Sequence, residues 1–162
     1  QVNKLSSAVT SQLPCLRFLT KMSLSRQHQP LLKQALPSLF HLLQTGTSSI
    51  KFQVLQVLIN LSANFELTCD LLNVQIPSSF LFLFNYFQRP DVLNDLLLFV
   101  SNLNETRRGT AYRSVKREYS QDSVYVLLFG SNSQFSSRLI YLMAFPDDRI
   151  KIQAARIVTS LG

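Results

Sequence analysis

The sequence is poor in the residue types on which most catalytic and metal sites depend. It has two histidines, two cysteines and no tryptophan in 162 residues. His28 and His41 lack a second histidine, a glutamate or a cysteine at the spacing of a metal site. The four glycines are isolated from one another, which excludes a glycine-rich phosphate loop, and no Gly-x-Ser-x-Gly occurs. We therefore expect no metal, no cofactor and no catalytic residues.

Long apolar runs and turn formers are also scarce. Four glycines and six prolines are few for an all-β fold. Runs such as 80–84 and 96–100 are far too short to span a bilayer. With 46% hydrophobic and 15% charged residues, the chain should fold around a real core.

Its two lone cysteines suit a reducing compartment. Because it opens on Gln1, we interpret it as a piece of a longer protein.

A helical pattern is present in four copies. In the stretch 49–64, one apolar face is formed by Ile50, Val54, Val57, Leu58 and Leu61. Equivalent residues recur 42 and 100 positions later and, in part, 39 positions earlier. Four copies of one long helix predict a helical repeat array. We expect these helices to stack side by side in chain order, at 9–23, 48–64, 91–104 and 147–161.

Shorter helices should precede each long one, giving sets of about 40 residues. Pro37 and Pro77 open the second helix of successive sets, and Phe40 and Phe80 follow at the same spacing. Residues 1–8 are expected to be a frayed lead-in. The shorter helices are expected at 25–35, 36–44, 65–73, 78–87, 122–129 and 133–145.

An aromatic run falls within the predicted helix 78–87. Phe80, Phe84 and Phe87 share one helical stripe and are expected in the core between repeats. Phe82 lies off that stripe. It is either part of the same packing or an exposed anchor for a partner.

The segment 104–120 interrupts the repeat, since the spacing between long helices stretches from 42 to 58 residues there. It lacks an apolar stripe, and we interpret it as an inserted loop with a mobile first half, 104–110, and a better ordered second half. Such a loop either contacts an acidic partner or anionic lipid, or acts as a solvated spacer. Its basic residues, within a chain of net charge +7, are Arg107, Arg108, Arg113, Lys116 and Arg117.

A polar stripe runs across the long helices. Its side-chain amides can hydrogen-bond the backbone of an extended peptide without reading its sequence, although a merely solvated face is an alternative. Basic residues at both ends favour an acidic or bipolar partner. The candidate groove residues are Arg17, Lys21, Gln53, Gln56, Asn60, Asp95, Leu98, Asn102, Gln153, Arg156 and Ser160.

The three-helix unit with a proline opening its second helix resembles the armadillo repeat. The helix endings Leu-Ile-Asn-Leu at 58–61 and Val-Ser-Asn-Leu at 100–103 resemble the armadillo Leu-x-Asn-Leu signature, whereas Lys21 and Ser160 replace the asparagine in the first and last copies. The resemblance implies an all-α, right-handed α-solenoid of about three and a half repeats, forming a single domain over 1–162 with an inserted basic loop.

A narrower resemblance covers nearly the whole chain. Stretches such as PLLKQALPSLFHLLQ and LLFGSNSQFSSRLIYLMAFPDDRIKIQAARIVTSL are similar to the C-terminal armadillo domain of the X-linked and G-protein-coupled-receptor-associated sorting group. The resemblance implies a non-enzymatic adaptor at the cytosolic face of the mitochondrial outer membrane, held by an N-terminal anchor. Its implied roles are mitochondrial positioning and contact between mitochondria, as in the sperm mitochondrial sheath.

The partners that we expect are other proteins with acidic or polar segments, including mitochondrial outer-membrane proteins, and further copies of this chain. No small-molecule substrate is expected. Two other functions stay open. A nucleic-acid-binding solenoid needs a continuous basic track, which Asp95 and Leu98 interrupt. An importin-like peptide carrier carries a tryptophan where Gln56 and Leu98 stand here.

Overall fold

Four long helices form the framework of this computed structural model, which describes the backbone of residues 9–161 and the side chains of residues 12–161. The predicted lead-in at 1–8 lies outside the described residues. Each long helix packs against the next one in chain order, which confirms the predicted stacking. Their bounds are α1, Val9–Ser23; α3, Ser48–Ser62; α5, Pro90–Arg108; and α9, Asp148–Ser160.

Shorter helices connect the long ones. The α-helices are α2, Leu36–Thr45; α4, Thr68–Leu72; α6, Thr110–Arg113; α7, Val124–Phe129; and α8, Phe135–Leu142. Short 3-10 helices occupy Gln29–Ala35, Phe65–Leu67 and Ser78–Leu83. Within 9–161 there is no β-strand, only an isolated bridge between Gln75 and Ser123. The chain is therefore an all-α solenoid, as predicted.

Local chemistry explains where several helices begin. The Thr47 side chain accepts a hydrogen bond from the backbone N–H of Ile50 and caps α3, and Ser123 caps α7 in the same way. Pro90 occupies the first turn of α5. A backbone N–H at this position would have no acceptor within the helix, so the proline costs no hydrogen bond. The helices thus start at residues that satisfy or avoid the free N–H groups of a helix N-terminus.

A chain of phenylalanine rings forms the centre of the core. Phe40 lies 5.9 Å from Phe80 and 6.0 Å from Phe99, measured between ring centroids. Phe80 in turn contacts Phe84, whose ring meets Phe135 edge-on at 4.9 Å. All five side chains are almost fully buried. Because they come from helices of different sets, they join the repeats into one continuous core.

The predicted helix 78–87 is wrong in type and extent. It is a 3-10 helix that ends at Leu83. The Asn85 side chain donates to the carbonyl of Phe82 at 2.6 Å and accepts from the N–H of Phe87 at 2.8 Å, so the chain turns there. The turn carries Phe87 out of the core, and this residue is 96% exposed. The core role predicted for Phe87 is therefore also wrong, whereas Phe80 and Phe84 are buried as expected.

The interpretation of 104–120 as a loop also needs correction. Helix α5 does not end at 104 but continues to Arg108. Asn104 is buried, and the half-buried Arg107 places its guanidinium 4.2 Å from the centre of the Phe129 ring. These contacts give the extra helical turn an inner face, so it packs as part of the array. The remainder contains the short helix α6 and then an irregular stretch up to α7.

Candidate functional site

The polar stripe lies along the stacked long helices as the periodicity predicted, but little of it is freely exposed. At its ends, Arg17, Lys21 and Arg156 are exposed. The other residues of the stripe are half-buried: Gln53, Gln56, Asn60, Asp95, Leu98, Asn102, Gln153 and Ser160. The partial burial has a definite cause, because several of these side chains bond to the neighbouring long helix.

Both signature asparagines make such bonds. Asn60 on α3 donates to the hydroxyl of Ser23 on α1 at 2.9 Å. One repeat later, Asn102 on α5 donates to the hydroxyl of Ser62 on α3 at 3.0 Å. Ser23 and Ser62 are fully buried. The asparagines therefore link successive repeats, a role that the sequence pattern alone did not reveal.

The third interface keeps the same pair of residue types with their positions exchanged. Here Ser160 stands where Asn60 and Asn102 stood, and Asn104 occupies the position equivalent to Ser62. The amide of Asn104 donates to the hydroxyl of Ser160 at 2.7 Å. The missing asparagine in the last copy is thus compensated within the array by a change on the facing helix.

Further along the stripe, Gln56 donates to a carboxylate oxygen of Asp95 at 3.2 Å. Burial raises the pKa of Asp95, and this bond from Gln56 partly opposes the rise because it favours the charged carboxylate. Thr20 reaches the amide oxygen of Gln53 at 3.5 Å in a similar inter-helix contact. The middle of the stripe is therefore engaged chiefly in helix packing, and its exposed charge lies at the two ends.

The basic residues of 104–120 divide into two groups. Arg107 and Arg117 are half-buried, and each guanidinium stacks on an aromatic ring. Arg108, Arg113 and Lys116 are exposed. All four arginines line one open cavity of about 530 Å³, from which Lys116 is absent. The structure thus gathers charges that the sequence merely placed in the same segment.

A second cavity, the aromatic groove, was not predicted as a site. It has a volume of about 820 Å³ and lies between the 3-10 helix Ser78–Leu83 with its following turn and helix α8. Phe82, Tyr86 and Tyr141 line it, and these residues are 62%, 50% and 77% exposed. The guanidinium of Arg138 lies 4.9 Å from the Phe82 ring centre. The one sequence signal for this groove was Phe82, which falls off the core stripe.

The described part of the chain holds no group of three or more histidine, cysteine or acidic residues able to bind a metal ion. Two aspartates at helix starts, Asp91 and Asp147, have structural roles. Asp147 caps α9 and forms a salt bridge with Arg149 at 2.8 Å, and hydrogen bonds from Arg149 lower the pKa of Asp147. Arg149 also reaches Asp91 at 3.4 Å. These carboxylates hold helix ends together.

Long helices that stack in chain order and are joined by short helices define a helical repeat protein. The model of the armadillo-like family matches residues 1–129, and the chain belongs to that family. Among curated relatives, armadillo repeat-containing protein 12 of mouse and that of human are each 33% identical to it over 146 residues. The matched region covers 90% of this chain and 43% of each relative, so the chain spans less than half their length.

No solved structure matches the chain. Over the residues that the structure describes, none of the helices combines the length and the apolar character needed to cross a membrane. Armadillo-repeat proteins are typically non-catalytic scaffolds that bind other proteins, and neither relative is named as an enzyme.

Proposed function

We propose that this chain is a non-enzymatic, protein-binding adaptor and that the aromatic groove is its main recognition surface. The observation that carries the proposal is the cluster of exposed aromatic side chains around a cavity of about 820 Å³. Exposed aromatic residues that converge on one concave surface are typical of binding hot spots, because their burial releases a large apolar area from water.

The residues that line the aromatic groove indicate the chemical character of its partner. Most of the wall is apolar or aromatic, and Arg138 is the one charged residue in the lining. A partner segment that fits must bury apolar side chains against Phe82, Tyr86 and Tyr141 and place a carboxylate near Arg138. An amphipathic segment of another protein with one acidic residue beside its apolar face meets both requirements.

The polar stripe contributes a second, weaker contact. Its exposed basic ends, Arg17, Lys21 and Arg156, are placed to attract acidic segments and to increase the rate of association. Its middle contributes less than the sequence pattern suggested, since Asn60 and Asn102 already donate to neighbouring helices. The stripe therefore increases the rate at which a partner associates, and the groove provides the main binding surface.

The proposed setting is the cytosolic face of the mitochondrial outer membrane, in mitochondrial positioning or in contact between mitochondria, including those of the sperm sheath. The resemblance to the C-terminal armadillo domain of the sorting group supports this setting, and so does the 33% identity to armadillo repeat-containing protein 12. In such an arrangement an anchor outside the described residues would hold the protein, and the armadillo domain would present its groove to the partner.

Proximity labelling with the full-length protein tests both parts of the proposal. Wild type is compared with the double variant Phe82→Ser/Tyr141→Ser and with a control, Ile152→Ser, which removes an exposed apolar side chain outside the groove. We expect outer-membrane proteins among the labelled neighbours of wild type and control, and loss of specific neighbours in the groove variant alone. An unchanged set of neighbours in the groove variant would exclude the groove, and absence of mitochondrial neighbours would exclude the setting.

A further inference from the structure

Four arginines converge on the cavity beside the end of α5, although they come from separate elements. Arg107 and Arg108 lie in the last turn of α5, Arg113 lies in α6, and Arg117 follows it. The rest of the wall consists of Tyr112, Val115, Tyr119 and Tyr125. The lining contains no acidic residue, so this is a concave site with four positive charges.

The arginines of this cavity are not directly paired with acidic side chains. Within residues 12–161, no carboxylate forms a salt bridge with any of the four. Burial lowers the pKa of Arg107, and the neighbouring guanidinium of Arg108 lowers it further, while the Tyr125 hydroxyl acts in the opposite direction. Arg107 is still charged at neutral pH, because an arginine starts from a very high pKa. The cavity therefore concentrates like charge and attracts anions.

Two of the guanidiniums are held in place before any ligand arrives. Arg107 stacks on the Phe129 ring and donates to the Asn104 side chain at 2.9 Å. Arg117 stacks on the Tyr112 ring at 4.1 Å and donates to backbone carbonyls of Tyr112 and Val115. Stacking and hydrogen bonding fix the planes of both groups. A ligand that meets them loses less side-chain entropy than it would on flexible residues.

The tyrosines of the lining contact one another. The hydroxyls of Tyr112 and Tyr119 hydrogen-bond to each other, and the ring of Tyr119 stacks on that of Tyr125 with centroids 4.4 Å apart. Burial raises the pKa of Tyr112 and of Tyr119, so both hydroxyls stay protonated at neutral pH. They therefore bring no negative charge to the cavity. Exposed Arg108 and Arg113 complete its rim.

We propose that this cavity binds an anion with several phosphate groups, of the size and charge of a phosphorylated inositol headgroup. A guanidinium group pairs with two phosphate oxygens at once. Four guanidinium groups around one cavity offer more positive charge and more donors than a single carboxylate can pair with. A volume of about 530 Å³ lies within the ordinary range for small-ligand sites. The proposal does not rest on the aromatic groove, because the two cavities share no lining residue.

The convergence favours a binding role over a spacer role, two alternatives that the sequence left open for this segment. In a solvated spacer the arginines would point apart into water, and on a broad acidic surface they would lie in one plane. Here they surround a hollow beside α5. The ligand is therefore a compact polyphosphate, either a free molecule or the headgroup of a lipid in a membrane.

Titration calorimetry of the full-length protein with inositol 1,4,5-trisphosphate tests the site directly. The variant Arg108→Gln/Arg113→Gln removes only exposed charges, so it leaves the stacked arginines and the fold in place, as its melting temperature will show. The control Arg26→Gln/Arg89→Gln removes two exposed charges away from the cavity. We expect saturable binding by wild type and control, and binding about tenfold weaker in the cavity variant, since charge-assisted hydrogen bonds are lost. Added salt should weaken the interaction.

Vesicles separate the two sources of the ligand. Binding to phosphatidylcholine vesicles that contain phosphatidylinositol bisphosphate, but not to vesicles with phosphatidylserine of equal charge, identifies a membrane headgroup. Binding of the soluble trisphosphate alone identifies a free anion. The proposal is overturned if no saturable binding occurs at low salt, or if the control loses as much affinity as the cavity variant. Equal binding to both kinds of vesicle also overturns the proposal. So does a site that binds phosphopeptides but not the trisphosphate.

Discussion

The asparagine–serine pairs between long helices should contribute measurably to stability. The perturbation is the double variant Asn60→Ala/Asn102→Ala, which removes the donors to Ser23 and Ser62 at 2.9 and 3.0 Å. A net hydrogen bond contributes about 0.5–1.5 kcal/mol, and the buried serine that loses its donor adds a further cost. We expect about 1–2 kcal/mol for each site, or about 2–4 kcal/mol together. For a domain of this size, each kcal/mol lowers the melting temperature by about 2–4 °C.

The exchanged pair at the third interface provides a sharper test. Because Asn104 donates to Ser160, the array tolerates the asparagine on either of two facing helices. The exchange Ser62→Asn/Asn102→Ser should therefore recover most of the stability that each single substitution loses. A double-mutant cycle then gives the coupling free energy between the two positions.

The assay is urea and thermal unfolding of the full-length protein, with Asn132→Ala as the matched control because Asn132 is exposed in a turn. The reasoning is refuted if the asparagine variants unfold like the control and the exchange shows no coupling. If partner binding also falls in those variants, the asparagines face the partner, as the sequence pattern alone suggested.

Three further predictions follow from burial, close contact and charge. Phe84→Ala should lower the free energy of unfolding by about 3–5 kcal/mol in urea titrations, whereas Phe82→Ala should change it little because that ring is 62% exposed. Gly46→Ala should destabilise the protein by about 1–3 kcal/mol, since its Cβ would lie 2.5 Å from a side-chain carbon and 2.7 Å from a backbone oxygen. Gly109→Ala, with its closest contact at 3.3 Å, should cost less in the same titration. Because burial raises the pKa of Asp95 in the folded state, the ionised carboxylate opposes folding as pH rises through the window between its unfolded and folded pKa values. Asp95→Asn should therefore match wild type at acidic pH and gain stability relative to it towards neutral pH in melting curves.

The sequence predicted the architecture because the apolar stripes are determined by helical periodicity. Ile50, Val54 and Leu58 are buried as the pattern requires, and so are their equivalents 42 residues later, Val92, Leu96 and Val100. It failed at 78–87, where the Asn85 side chain turns the chain by hydrogen bonds to its own backbone neighbours. It also failed at the end of α5, because the partner ring, Phe129, lies far along the chain.

The candidate sites were less predictable than the fold. Periodicity placed Asn60 on the stripe but could not tell that the facing residue of the previous repeat is a serine within hydrogen-bonding distance. Phe82 was identified as a possible anchor, whereas Tyr141, more than 50 residues later, depends on how α8 packs. The arginine cavity similarly requires the turn at Gly109, which brings α6 back beside α5. Contacts between distant segments decide these sites, and local patterns do not record them.

The central claim, that the aromatic groove holds a partner protein, is tested most directly by site-specific photocrosslinking in cells. A photoreactive amino acid is placed at Tyr141 inside the groove and, in a second protein, at Ile152 outside it. The account predicts that position 141 crosslinks to a defined segment of another protein with an apolar face and a carboxylate, and that Arg138→Glu abolishes the crosslink. Equal crosslinking from position 152, or none from position 141, would contradict it.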